Sequence, residues 1–153
     1  MAGTIASLVI AAAAFGTDRI TKSIADRRLA ADNRSVSVGS GFISFRKSEN
    51  SGFAGNRLSG RRKLVVGLST AVFAFCVVIY AAILSGSAGR TVKAGMGLMM
   101  GGAAGNVFDR IVKGRVTDFI IAKPVKKIIF NLADLFILTG AVVTVLCGML
   151  AAE

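Results

Sequence analysis

Apolar residues in this chain are gathered into long blocks rather than spread along the faces of amphipathic helices. Leu64–Leu84 carries no charge. Ile128–Ala151 carries one, Asp134, and Val92–Val112 carries Lys93 near its start and Asp109-Arg110 at its end. A helix of about twenty apolar residues spans a bilayer. Ile5–Phe15 is shorter and spans only with its polar continuation Gly16–Ile24. The pattern predicts an all-α integral membrane protein with four transmembrane helices, over residues 4–24, 64–84, 92–112 and 128–151, in one domain covering 1–153. The first block has no Lys or Arg before its apolar core, as a cleaved leader normally has, so it is read as a retained helix.

The segments between the blocks are unequal. The first, from about Asp26 to Arg62, contains the alternating Ser35-Val36-Ser37-Val38 and then Phe42-Ile43-Ser44-Phe45, separated by Gly39-Ser40-Gly41. Short strands joined by a tight turn have this pattern, so a small β-containing extramembrane element is expected here. Ser85–Thr91 is a short turn, and Lys113–Lys127 is the third connection. Helices that alternate in direction bring the first and third connections to one membrane face. Asp18, Lys22, Asn50, Asn106, Asp109, Arg110, Asp118, Asn131 and Asp134 all approach that face. Loop polarity accounts for Asp26, Asp32 and Glu49. It does not account for Asp18, Asp109 and Asp134, which fall within or at the ends of predicted helices, where an ionisable group is costly and usually functional.

Composition then narrows the chemistry. The chain has 153 residues, 54% of them hydrophobic, and a net charge of +11, with a mean hydropathy of +0.68. Nucleic acid is a poor partner for these basic residues, because Trp is absent and Tyr80 is the one tyrosine available for stacking. Anionic lipid headgroups account for the charge more simply. Cys76 and Cys147 lie inside predicted spans, without metal-ligand spacing, and read as small buried apolar residues. The chain has no histidine. That removes Ser-His-Asp and Cys-His nucleophiles and histidine-ligated zinc, and leaves Asp118 and Asp134 as the best available acid and base. Two close carboxylates cannot both ionise readily, so one can hold a proton while the other deprotonates water. The sequence does not assign the two roles.

Four motifs in order carry a family resemblance. Asp18-Arg19-Ile20-Thr21-Lys22 ends the first predicted helix, and Asn50-Ser51-Gly52-Phe53-Ala54 follows in the first connection. Gly101-Gly102-Ala103-Ala104-Gly105-Asn106-Val107-Phe108-Asp109-Arg110 leads to Val116-Thr117-Asp118-Phe119, and Phe130-Asn131-Leu132-Ala133-Asp134 opens the last span. Taken alone, the glycines read as helix-packing positions, and Arg110 either faces a site with Asn106 or snorkels to the interface. Together the motifs resemble lipoprotein signal peptidase (signal peptidase II), and they cover most of the chain. The resemblance implies an aspartic endopeptidase of the bacterial inner membrane, without a cofactor. It would remove signal peptides from prolipoproteins by cutting before a diacylglyceryl-modified cysteine, as a monomer among membrane lipids. It implies Asp118 and Asp134 as the catalytic pair. Asn50, Asn106, Arg110 and Asn131 would line the site, with Asp18, Lys22, Gly52 and Asp109 in support. The chain departs from the family pattern at Gly55, where members usually carry an aromatic residue, and in the basic connector Ile120–Ile129, which lacks aromatics.

Charge and resemblance disagree on orientation. Eleven Lys and Arg lie between Arg19 and Lys63, six between Arg110 and Lys127, and the opposite face has Arg90 and Lys93. The positive-inside rule places the first and third connections in the cytoplasm; the resemblance places them, with the active site, on the outer side. The resemblance is preferred, because the lipid-modified cysteine must be met at the outer leaflet. Two further classes fit the same residues: a non-catalytic, lipoprotein-binding relative, and a small four-helix transporter using Asp18 or Asp134.

Overall fold

The computed structural model describes residues 1–29, 35–39, 41–53, 57–122 and 128–150. Gly55 and residues 123–127 of the basic connector lie outside them. Four helices alternate in direction: α1 Ala2–Arg28, α2 Arg62–Ser85, α3 Arg90–Lys113 and α4 Leu132–Leu150. The strands β1 Val36–Val38, β2 Ile43–Asn50, β3 Val116–Ala122 and β4 Ile129–Phe130 form one antiparallel sheet in the order β1-β2-β3-β4.

Among the described residues, α1, α2 and α4 are long and apolar enough to cross a membrane. Glycines and terminal charges dilute the apolar character of α3, yet it is the central helix and packs against the other three. Two glycine rows permit this. A Cβ at Gly97, Gly101 or Gly105 would strike Ser7, Ala11 and Asp18 of α1. One at Gly95 or Gly102 would meet Thr144, Gly140 and Ala133 of α4. Small residues in two rows let two neighbours approach the α3 backbone at once. The helix stops at Gly114, whose φ of 72° is the left-handed conformation that glycine adopts at helix ends.

Both strands expected in the first connection are present, but the sheet is larger than the sequence pattern indicates. Val116–Ala122 has no polar–apolar alternation, since Val116, Thr117, Asp118 and Phe119 are all buried. A strand covered on both faces hides its period. The last helix begins at Leu132 rather than 128, because Ile129 and Phe130 pair with Ile121 and Ile120.

Candidate active site

The sheet and the helix ends meet at one end of the bundle. On β2 and β3, Asn50 pairs with Val116 and Ser48 with Asp118. Alternate residues share a face, so Asn50 and Asp118 are diagonal neighbours on one side of the sheet. Asn50 Nδ2 donates to Asp118 Oδ2 at 3.2 Å. The Asn50 carbonyl oxygen of the side chain accepts from Gly52 N at 3.0 Å, which fixes the turn after β2. A register shift between Phe45 and Ser48 marks a bulge just before this segment, a common device for aiming side chains beside sites.

Asp134 is placed by helix capping. Asn131 precedes the first residue of α4, and its Oδ1 accepts from Asp134 N at 3.0 Å. Asp134 Oδ2 in turn accepts from Asn131 N at 3.1 Å. This is a reciprocal capping box built from Asn and Asp, and it satisfies two otherwise orphaned backbone donors. The amide nitrogen of Asn131 is left free to donate to Asp118 Oδ1 at 2.6 Å and to Asn106 Oδ1 at 3.1 Å. Asn106 Nδ2 donates to Asp134 Oδ1 at 2.8 Å. One asparagine at a helix start therefore joins both carboxylates. Asp118 is buried. Burial, then the Asp134 charge, push its carboxyl up to about 6, with the Asn131 and Asn50 amides opposing them.

These groups and Arg110 line a polar cavity of about 200 Å³. Arg110 turns inward rather than snorkelling. Its Nη2 donates to the Gly52 carbonyl at 3.2 Å, and its guanidinium lies 5.7 Å from the Phe53 ring centroid. The buried Nε has no hydrogen-bond partner among the described residues. Asn106 and Arg110 also belong to an apolar groove of about 390 Å³ walled by Phe53, Val72, Phe73, Met99, Met100 and Val107. The polar cavity thus opens beside a hydrocarbon-lined trough running between the helices.

Asp18, Lys22 and Asp109 lie behind the cavity, wholly buried. Lys22 Nζ is 2.9 Å from Asp18 Oδ2, 3.3 Å from Asp109 Oδ2 and 2.9 Å from Asn106 Oδ1. Asp18 Oδ1 also accepts from Ala133 N at 3.1 Å, which ties α1 to the start of α4. All ten residues singled out from the sequence therefore converge, seven at the cavity or the turn beside it and three behind it. Arg19, which pairs with Asp109, was not singled out. Neither were Asp26 and Glu49, assigned to loop polarity. Asp26 accepts from Lys47 at 3.0 Å and Lys113 at 2.9 Å, and Glu49 pairs with Arg115 at 3.0 Å. The spacing of Asp18, Lys22 and Asp26, four residues apart each time, was a usable signal for one helix face.

The family model for Signal peptidase (SPase) II matches residues 10–150. A lipoprotein signal peptidase of Caldicellulosiruptor bescii is 35% identical over 133 residues, covering 86% of this chain and 83% of that protein. One from Symbiobacterium thermophilum is 32% identical over 136 residues, covering 88% of each. A bacterial membrane enzyme solved by the in meso method at 2.3 Å resolution has the same fold. Its TM-score is 0.80 at 23% identity, over 96% of this chain and 89% of that one.

Proposed function

The chain belongs to the signal peptidase II family, and from that premise we propose that it is an aspartic endopeptidase in which Asp118 and Asp134 are the catalytic pair. Lipoprotein signal peptidases remove signal peptides from prolipoproteins, so the chain is a peptidase with prolipoprotein substrates. The observation that carries the aspartic reading is the bridge through Asn131, which donates its side-chain amide to Asp118 and its backbone N–H to Asp134. The bridge brings two carboxylates to one small polar cavity.

In this mechanism Asp134 deprotonates water and Asp118 protonates the scissile carbonyl oxygen. Asp134 sits in the first turn of α4, where the helix N-terminus favours negative charge. Asp118 lies on a strand without that support, beside a second carboxylate, and is the better place for the shared proton. Water adds to the amide carbon to give a tetrahedral diol. As the C–N bond breaks, Asp134 passes the water's proton to the leaving nitrogen, and Asp118 takes its proton back from a diol hydroxyl as the new carboxyl group forms. No covalent enzyme intermediate forms. Asn50 and Asn106 hold the carboxylates, and Arg110 faces the cavity to orient the peptide carbonyls.

The cut lies just before a diacylglyceryl-modified cysteine, whose acyl chains occupy the groove that shares Asn106 and Arg110 with the cavity. Each buried CH₂ is worth roughly 0.8 kcal/mol, so the chains supply binding and the polar groups supply register. In the same reading α3 is the fourth span of a single domain over 1–153. The protein is a monomer in the bacterial inner membrane, with the sheet and active site on the outer side. Asp134 stands at the start of α4 and Asp118 on the strand β3 beside it, whereas a transporter site is usually near the midplane. The test is cleavage of a lipidated prolipoprotein by purified Asp118→Asn and Asp134→Asn. Each is expected to lose about 10³-fold or more in kcat while remaining folded. Near-normal turnover by either would overturn the pair.

A further inference from the structure

Lys22 makes one contact that charge balance does not require. Its ammonium already meets two buried carboxylates, Asp18 at 2.9 Å and Asp109 at 3.3 Å. Its remaining direction goes to a neutral amide, Asn106 Oδ1, at 2.9 Å. An ammonium has three donors and no acceptor, so this contact dictates which end of the Asn106 amide faces α1. The Asn131 amide nitrogen donates to the same oxygen at 3.1 Å, and it too can only donate. Its own orientation is locked, because Asn131 Oδ1 accepts from Asp134 N. Turning the Asn106 amide over would set its NH₂ against two donors. It would also set its carbonyl oxygen against the Asp134 carboxylate, which now accepts from Asn106 Nδ2 at 2.8 Å. Lys22 reaches the pair through one amide and touches neither aspartate in the hydrogen-bond network.

We propose that Lys22 is a positioning residue for hydrolysis: through Asn106 it holds the Asp134 carboxylate in the rotamer that receives the proton from water. This rests on the catalytic pair proposed above. The wholly buried Asp18–Lys22–Asp109 cluster then has a purpose beyond joining α1 to α3. It anchors an ammonium where the ammonium can act on an amide, and Arg19 and Lys113 complete the charge around Asp109. The network is a relay of orientation, with no proton transferred along it.

The test is a mutant cycle in the purified, detergent-solubilised full chain acting on a lipidated prolipoprotein. Lys22→Met alone strands Asp18, so it is combined with Asp18→Asn, which removes one charge of each sign. The paired variant is expected to lose roughly 10- to 100-fold in kcat, with KM within about twofold. In an Asn106→Ala background the same pair should cost less than about threefold more, because the route to Asp134 is already gone. Asn106→Asp keeps an acceptor for Lys22 but removes the donor to Asp134, and should show the same kcat loss at neutral pH with KM kept. An equal loss from the pair with and without Asn106, a rise in KM at constant kcat, or full activity in Asn106→Asp would each overturn the proposal. The two readings fail separately. If Asp134→Asn is inactive while the cycle is additive, Lys22 alone loses its role; if Asp134→Asn is active, the pair itself is wrong.

Discussion

Burial and the charge of Asp134 hold the Asp118 carboxyl at about 6, against an ordinary 3.8. The same shift costs stability, and its sign is fixed by linkage. A group whose folded value is raised contributes its relative stability below the unfolded value, and loses it as pH rises through the folded one. Asp118 is therefore harmless near pH 3 and costs roughly 3 kcal/mol at pH 8, since each unit is about 1.4 kcal/mol. Asp118→Asn removes that titration. The stability difference between variant and wild type, read by denaturation in detergent, should move in the variant's favour by about that amount between pH 3 and pH 8. A pH-independent difference would mean that folding leaves the Asp118 carboxyl at its ordinary value. Many of the groups at this scale were legible in the sequence because a polar residue inside an apolar block needs a reason. Asp18, Asp109 and Asp134 stood out in this way. Asp26, Glu49 and Phe53 did not, because a charged or aromatic residue in or near a polar connection is unremarkable until its partner is known.

At the scale of elements, α3 decides whether these side chains meet. Its glycine row at 97, 101 and 105 faces α1, and its row at 95 and 102 faces α4. Asn106, Asp109 and Arg110 continue the helix just past those rows. The rows set the distance across which Lys22 reaches Asn106. Gly101→Leu would force the α1 backbone at Ala11 away. It is expected to destabilise by about 1–3 kcal/mol and to reduce cleavage at least about tenfold. Gly67 on α2 has nothing within 4 Å of the Cβ position. Gly67→Ala should leave activity within about twofold and gain up to about 1 kcal/mol from helix propensity. Thermal unfolding and cleavage assays on the two variants check both halves; equal behaviour would show that close approach at α3 does not govern the site. The helices were readable because each is a long apolar block. β3 and β4 were not, because burial on both faces of β3 erases alternation and two residues of β4 carry no period of their own. The place of Asn131 as the cap of α4 follows from that pairing, since β4 ends one residue before it.

For the whole molecule, the open conflict is between charge and architecture. The sheet, the cavity and the buried ion cluster share one end of the bundle. Seventeen of the nineteen Lys and Arg fall in the segments leading to that end. Orientation by charge counts short loops and the flanks of helices. Here several of those charges are consumed inside the fold: Arg19 by Asp109, Lys22 by Asp18, Lys47 and Lys113 by Asp26, and Arg115 by Glu49. A neutralised charge still weighs during insertion, before its partner arrives, so pairing explains the tolerance of these residues in the folded protein rather than the route by which it forms. The proposed placement of the cavity at the outer leaflet makes a direct prediction. In a background lacking Cys76 and Cys147, a cysteine replacing the exposed Ser37 on β1 should react with a membrane-impermeant thiol reagent in intact spheroplasts. A cysteine replacing the exposed Ser87, in the turn between α2 and α3, should react only after lysis. The reverse pattern would place the active site in the cytoplasm and would make the basic connections ordinary followers of the charge rule.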